Sequence, residues 1–260
     1  MVDHKIKDIV ISAAIAAGKA ILTVYSRDFE VEFKEDKSPL TEADKVSHEV
    51  IMNFLEKTPY PVLSEEGKDI EYSERSSWKR YWCVDPIDGT KEFIKKNGEF
   101  TVNIALIEDG VPIFGVVYAP VLQDLYLGEA NVEAYRIKVK NNELNTDSKV
   151  HLPEKLPSVY TVVGSRSHRS SETEAFIDDL RSKYGEIDFI SKGSSLKLCM
   201  VAEGSAHIYP RHAPTMEWDT AAGHAVVLGA GGYVHDYNTK SSLVYNKENL
   251  LNPWFTVGCR

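Results

Sequence analysis

Apolar positions near the start of the chain recur as Ile6, Val10, Ala13, Ala17 and Ile21, a spacing of three to four that predicts an amphipathic helix ending near Tyr25. A second helical pattern puts Ala43, Val46, Val50, Ile51 and Phe54 on one face, with Thr41 as N-cap and Asp44 in the first turn. The period then changes. From Phe100 to Ala134 apolar residues alternate or run together around a turn at Glu108-Asp109-Gly110, which predicts antiparallel strands. After a polar stretch at 138–158, the chain reads as strand (158–165), helix (170–183), helix (194–204), strand (206–211) and a glycine-closed helix (218–232). These patterns predict an α+β unit over residues 1–155 and an α/β unit over 156–260, with the polar stretch as the boundary between them.

Length and charge narrow the classes of function. A chain of 260 residues buries a core large enough for two units that share a cleft. With 39 acidic against 30 basic side chains, the net charge of -9 argues against a nucleic acid polymer as partner, while a small anion can still bind where cations gather. Cys83, Cys199 and Cys259 are far apart and lack CxxC spacing, so neither a disulfide framework nor a zinc site is expected. Residues 9–17 are as apolar as the core of a signal peptide, but Asp3 and Asp8 precede them and the helical pattern continues past Lys19. No run approaches the ~20 apolar residues of a transmembrane segment, and a reducing cytosol is the expected compartment, with peripheral attachment to the inner membrane left open.

The densest chemistry lies in "YWCVDPIDGTKEFI", residues 81–94. A β-prone run ends in Asp85 and Asp88, with Pro86 between them and Gly89-Thr90 opening a helix. Two carboxylates brought together at a strand end are explained by divalent cations that neutralise them, and the free N–H groups of the helix start favour an anion beside them. The plain alternative is an Asx turn with a helix cap. Glu65 and Glu66 follow another short apolar strand, and Asp219 opens the last long helix; each alone also reads as a cap or a solvated charge. A two-metal hydrolase draws its oxygen ligands from several such segments.

Asp85-Pro86-Ile87-Asp88-Gly89-Thr90 and Trp218-Asp219-Thr220-Ala221-Ala222-Gly223 together resemble the two signatures of the inositol monophosphatase superfamily, D-P-[IL]-D-G-T and W-D-x-A-A-G. The stretches "VLSEE", "GVVYAPV", "SRSH", "GSSLKLCMVAEGSAHIYPR" and "EWDTAAGHAVV" extend the likeness over most of residues 38–228, toward its bisphosphate nucleotidase branch. That resemblance implies a layered α/β/α/β/α sandwich and a lithium-sensitive, Mg²⁺-dependent phosphomonoesterase. The implied substrate is adenosine 3',5'-bisphosphate, cleaved to AMP and phosphate, or its sulfated relative, in sulfate assimilation and nucleotide recycling. It further implies Glu65, Asp85 and the Ile87 carbonyl as ligands of one Mg²⁺, and Asp85, Asp88 and Asp219 as ligands of a second. A weaker third ion is an alternative. Asp44 and Thr90 become the pair that orients the attacking water, while Gly89, Thr90, His168, Ser194, Lys197, Arg211 and Asp219 contact the substrate. Two other readings stand beside this one: a phosphatase of inositol or sugar phosphates with the same metal core, and a non-catalytic nucleotide or metal sensor. The intact pair of Asp44 and Thr90 argues against the sensor, which has no use for an activated water.

Overall fold

The computed structural model describes residues 1–33, 39–165 and 170–259. Its first helix, α1 (His4–Tyr25), ends where the apolar period does. A small antiparallel pair, β1 (Val31–Phe33) and β2 (Pro39–Thr41), leads into α2 (Glu42–Leu55). Thr41 caps α2 as expected: its hydroxyl accepts from the Ala43 N–H at 3.2 Å, and its own N–H donates to the Asp44 carboxylate at 2.8 Å.

Seven strands form the larger sheet: β3 (Val62–Ser64), β4 (Arg80–Asp88), β5 (Thr101–Glu108), β6 (Val111–Ala119), β7 (Asp124–Glu129), β8 (Glu133–Lys140) and β9 (Glu143–His151), side by side in that order. Short helices α3 (Tyr72–Arg75) and α4 (Thr90–Ile94) flank β4. Only β3 and β4 run parallel; the remaining pairs are antiparallel. The rest of the chain alternates as β10 (Tyr160–Gly164), α5 (Ser171–Tyr184), β11 (Ile187–Ser191), α6 (Leu196–Glu203), β12 (Ile208–Arg211), α7 (Glu217–Gly229), β13 (Tyr233–Asp236) and β14 (Phe255–Gly258). Its strands form a second sheet of five, in the order β11-β10-β12-β14-β13.

The layers follow from the two-residue period of the strands. On β4, Trp82 and Val84 face α1 and α2, where they pack with Val10, Ala13, Ile21 and Ile51. Tyr81 and Cys83 face the other way, into a cluster with Leu198 and Val201 of α6, Ala222 and Val226 of α7, and Tyr209, Phe255 and Val257 of the second sheet. On the far side of that sheet, Val162 and Ile208 meet Ile177 of α5. The result is helix, sheet, helix, sheet, helix: the expected α/β/α/β/α sandwich. Close approach of α7 to the large sheet depends on Gly115 and Gly128, register partners on β6 and β7. A Cβ on Gly115 would lie 2.4 Å from the Ala222 carbonyl oxygen, and one on Gly128 would lie 2.3 Å from Val226 Cα.

Two features differ from the sequence expectation. The polar stretch after residue 138, read from the sequence without secondary structure, forms the hairpin of β8 and β9, turned at Asn141 and Asn142 with φ of 53° and 63°. Asparagine tolerates that left-handed pair, and β9 is a solvated edge strand, so its sequence lacks an apolar face. By length and composition α1 does satisfy the requirement for crossing a membrane, yet its apolar face is buried against the large sheet.

Candidate active site

The site is built on an irregularity in β4. Asp85 is paired with Asn103 of β5 and Asp88 with Thr101, so one extra residue is accommodated on β4 between the two aspartates. Pro86, which has no N–H to offer the ladder, sits inside this bulge. Ser47 of α2 holds the bulge from behind by donating to the Pro86 carbonyl at 2.8 Å. Gly89 follows at φ 91°, a left-handed turn that starts α4 at Thr90.

Around this turn the structure gathers carboxylates from separate elements. One oxygen each of Glu65, Asp85 and Asp219 lie within 4.8 Å of one another. Glu65 arrives just past β3, its N–H donating to the Val84 carbonyl at 3.1 Å. Asp219 sits in the first turn of α7 and accepts the Met216 N–H at 2.8 Å, the same reach-back that holds Asp44 at the start of α2. Asp85 is 1% exposed, and neither of its carboxylate oxygens has a hydrogen-bond partner among the described residues. Burial above all, then the charges of Glu65, Asp88, Asp219 and Asp44, hold the Asp85 carboxyl well above the usual carboxylate range. Burial and the neighbouring carboxylates Asp88 and Glu65 push Asp219 up as well.

Asp88 is set apart from this trio. Its Oδ2 accepts the Ser195 N–H. Burial raises its carboxyl, while Lys197 and the Ser195 N–H oppose the rise. The Ile87 carbonyl, also expected in the ligand set, lies 3.4 Å from the Thr90 hydroxyl. Thr90 Oγ1 is 3.3 Å from Asp44 Oδ1, so the two residues expected as a pair do meet, across 46 positions of sequence.

Asp88 and Asp219 also line a cleft that opens to solvent, together with Gly89, Ser194, Lys197 and Arg211. Lys197 is buried; its ammonium donates to the Ser194 carbonyl at 2.5 Å and lies 5.5 Å from the centre of the Tyr209 ring. Burial lowers its pKa to about 8, with Arg211 adding to the fall and Asp88 opposing it. Arg211 is anchored by donation to the carbonyls of Ala213 at 3.2 Å and Pro214 at 3.0 Å. The cleft thus carries carboxylates, Asp88 and Asp219, and a basic part formed by Lys197 and Arg211. His168 lies outside the described residues. The run 193–197 was expected near the substrate, but not the Ser195 N–H on Asp88; Lys91 and Glu92 in the cleft lining were missed, since α4 is too short to show a period.

An uncompensated buried carboxylate is costly, and hard oxygen donors from three segments are the donor set of a divalent cation, so the residues fit such an ion. Carboxylates suited to divalent cations beside a cleft that carries Lys197 and Arg211 are the parts of a metal-dependent phosphatase. The chain belongs to the inositol monophosphatase family, whose pattern matches residues 3–254. It is 47% identical over 254 residues, 96% of this chain and 98% of the relative, to the 3'(2'),5'-bisphosphate nucleotidase CysQ of Escherichia coli K12. A crystal structure of CysQ from Bacteroides thetaiotaomicron superposes with a TM-score of 0.88 at 47% identity, covering 96% of each chain. SuhB from Bartonella henselae shares the fold at a TM-score of 0.76 and 24% identity, over 98% of this chain and 94% of its own.

Proposed function

We propose that the chain is a cytosolic, Mg²⁺-dependent 3'(2'),5'-bisphosphate nucleotidase that converts adenosine 3',5'-bisphosphate to AMP and phosphate. The observation that carries this reading is that one cleft is lined by both carboxylates and cations. Asp88 and Asp219 line it together with the buried Lys197 and Arg211, and the unpartnered Asp85 lies behind them, beside Asp219. A substrate with one phosphate needs only the carboxylates and the cations they would hold, whereas a bisphosphate also uses Lys197 and Arg211. The names of the relatives at 47% identity support the same substrate. In this reading residues 1–155 form the domain that carries Asp44, Glu65, Asp85, Ile87, Asp88 and Thr90. Residues 156–260 form the domain that carries Asp219 and the basic part.

Glu65, Asp85 and the Ile87 carbonyl would hold one divalent cation, and Asp85, Asp88 and Asp219 a second. Such ions supply Lewis acidity, lowering the pKa of the attacking water and neutralising charge on the reacting phosphate. The protein's own part is positional. The Thr90 hydroxyl donates to Asp44, which leaves its oxygen lone pairs free to accept a proton from the attacking water and turns that water toward phosphorus. Asp44 is the acceptor at the end of this relay, kept in place by the Thr41 N–H and hydroxyl. Gly89 and Thr90 bring the N-terminal N–H groups of α4 to the reacting phosphate. Lys197 supplies a point charge to the second phosphate, and Arg211 a fork of donors.

The experiment is phosphate release from adenosine 3',5'-bisphosphate, an inositol monophosphate and fructose bisphosphate, for wild type and Arg211→Ala. A charged hydrogen bond contributes about 1.5 to 3 kcal/mol, so the variant loses about ten- to a hundredfold in kcat/KM on the nucleotide. On the monophosphate it changes little. Equal loss on both substrates, or preference for inositol phosphate, overturns the nucleotide assignment.

A further inference from the structure

The loop that feeds the basic part of the cleft, residues 193–195, is docked on one face of β5. Glu99 Oε2 accepts the Gly193 N–H at 2.9 Å. Thr101 Oγ1 lies 3.2 Å from Ser194 Oγ and 2.8 Å from Ser195 Oγ. Ser195 Oγ donates to Asn103 Oδ1 at 2.9 Å. Thr101 and Asn103 are alternate residues of β5, so they share a face of the strand, and Glu99 lies just before it. Thr101 and Asn103 are also the register partners of Asp88 and Asp85 across the bulge. The same two side chains therefore border the metal-binding turn and grip the loop that donates its Ser195 N–H to Asp88.

The hydrogens in this row have only one consistent order. Ser195 gives its hydroxyl proton to Asn103, so Thr101 must donate to Ser195 and Ser194 must donate to Thr101. With Oδ1 of Asn103 occupied by Ser195, its Nδ2 turns toward the Asp88 side. There it is buried, with no hydrogen-bond partner among the described residues. Thr101, Asn103 and Ser195 are all essentially inaccessible to water, so breaking one link leaves hydroxyl groups that solvent cannot satisfy.

We infer that Thr101 and Asn103 are positioning residues that couple the 193–195 loop to the carboxylate turn, fixing Asp88 and the basic part of the cleft in one register. A consequence concerns Ser194. Because its proton is committed to Thr101, the oxygen it presents to the cleft is an acceptor. It meets a ligand hydroxyl or amine, not a phosphate oxygen.

The test uses the full chain with Thr101→Val, which keeps size and branching, its conservative partner Thr101→Ser, and Asn103→Asp. Mn²⁺ binding is followed by electron paramagnetic resonance on enzyme first freed of metal, and KM and kcat are measured on adenosine 3',5'-bisphosphate. Thr101→Val is expected to weaken Mn²⁺ binding severalfold and to raise KM about tenfold, the equivalent of one lost buried hydrogen bond. Thr101→Ser restores both. Asn103→Asp, which sets a carboxylate against Asp88, alters Mn²⁺ affinity without removing the acceptor for Ser195. The Mn²⁺ arm does not depend on the identity of the substrate, whereas the KM arm rests on the nucleotidase reading, so the two fail separately. Should Thr101→Val fail to fold, Ser195→Ala, which deletes one hydroxyl, serves in its place. Variants that only lower thermal stability, with Mn²⁺ affinity and KM both at wild-type values, overturn the proposal.

Discussion

Glu217 and Asp85 are both buried carboxylates that border the same helix start, and they live in opposite surroundings. Glu217 is 0% exposed, and its oxygens accept the Asn246 N–H at 2.7 Å, the Lys247 N–H at 3.0 Å and the Lys247 ammonium at 2.5 Å. Asp85, almost as deeply buried, has no partner for either oxygen among the described residues. The chain satisfies the first carboxylate by itself, whereas the second is left for something the chain does not contain. Two residues beyond Glu217, Asp219 takes an intermediate position: one oxygen caps α7 and its carboxylate also meets Glu65 and Asp85. Glu217 thus anchors the helix start to the segment around residues 246–247, which Arg75 grips from the other side through Asn246, Lys247 and Glu248. Buried charge is therefore structural or functional according to whether the fold completes its hydrogen bonds.

The sharpest way to break this contrast is to neutralise each carboxylate. Asp85→Asn should lower kcat by about three orders of magnitude or more, since several kcal/mol of metal-derived stabilisation is lost at ~1.4 kcal/mol per decade. The same change should leave the metal-free fold as stable as wild type or raise its Tm, because it removes a repulsive charge. Glu217→Ala should do the reverse: it strands Lys247 and two backbone N–H groups, at a cost of about 3 kcal/mol in urea unfolding, with kcat per folded molecule little changed. If Asp85→Asn proves the unstable variant and Glu217→Ala the inactive one, the two roles have been assigned backwards.

A smaller effect tests the relay. Thr90→Ala and Asp44→Asn should each reduce kcat by about a hundredfold, near the lower bound for general-base contributions. Because the two act through one hydrogen bond, the double variant should lose little beyond the worse single one. Full additivity in steady-state kinetics would separate them.

The smallest effect is on stability against pH. Burial and mutual repulsion raise the carboxyls of Asp85, Asp88 and Asp219. Between about pH 4 and those raised values the metal-free fold therefore binds more protons than the unfolded chain, and its stability falls as pH rises. A divalent cation competes with those protons, so the rise in Tm caused by saturating Mg²⁺ should be larger at pH 8 than at pH 5. Calorimetric scans at the two pH values measure it, and an equal shift at both would deny the protonation.

How much of this was legible in the sequence depends on where each signal is written. Helices α1 and α2 and strands β5 to β7 carry long, regular periods because each buries one or both faces, and they stand where the pattern puts them. Strand β9 carries no such signal because water covers it, and β13 and β14 are each four residues long, too short for a period to register. Gly115 and Gly128 read as ordinary strand glycines until α7 is laid across them. In the site, the clustering of Asp85 with Glu65 and Asp219 and the meeting of Thr90 with Asp44 were expected through the resemblance to the family. The Ser195 N–H on Asp88 was not, because a backbone donor leaves no mark in a sequence and the two residues stand 107 positions apart.

In the proposed reaction an external cation completes the Asp85 pocket so that a bisphosphate can be cleaved there. The direct measurement is phosphate release from adenosine 3',5'-bisphosphate by one enzyme preparation, first with excess chelator and then with Mg²⁺ restored. The expected result is no turnover above the Asp85→Asn background under chelation and full recovery with Mg²⁺. Undiminished turnover in the presence of chelator would contradict it.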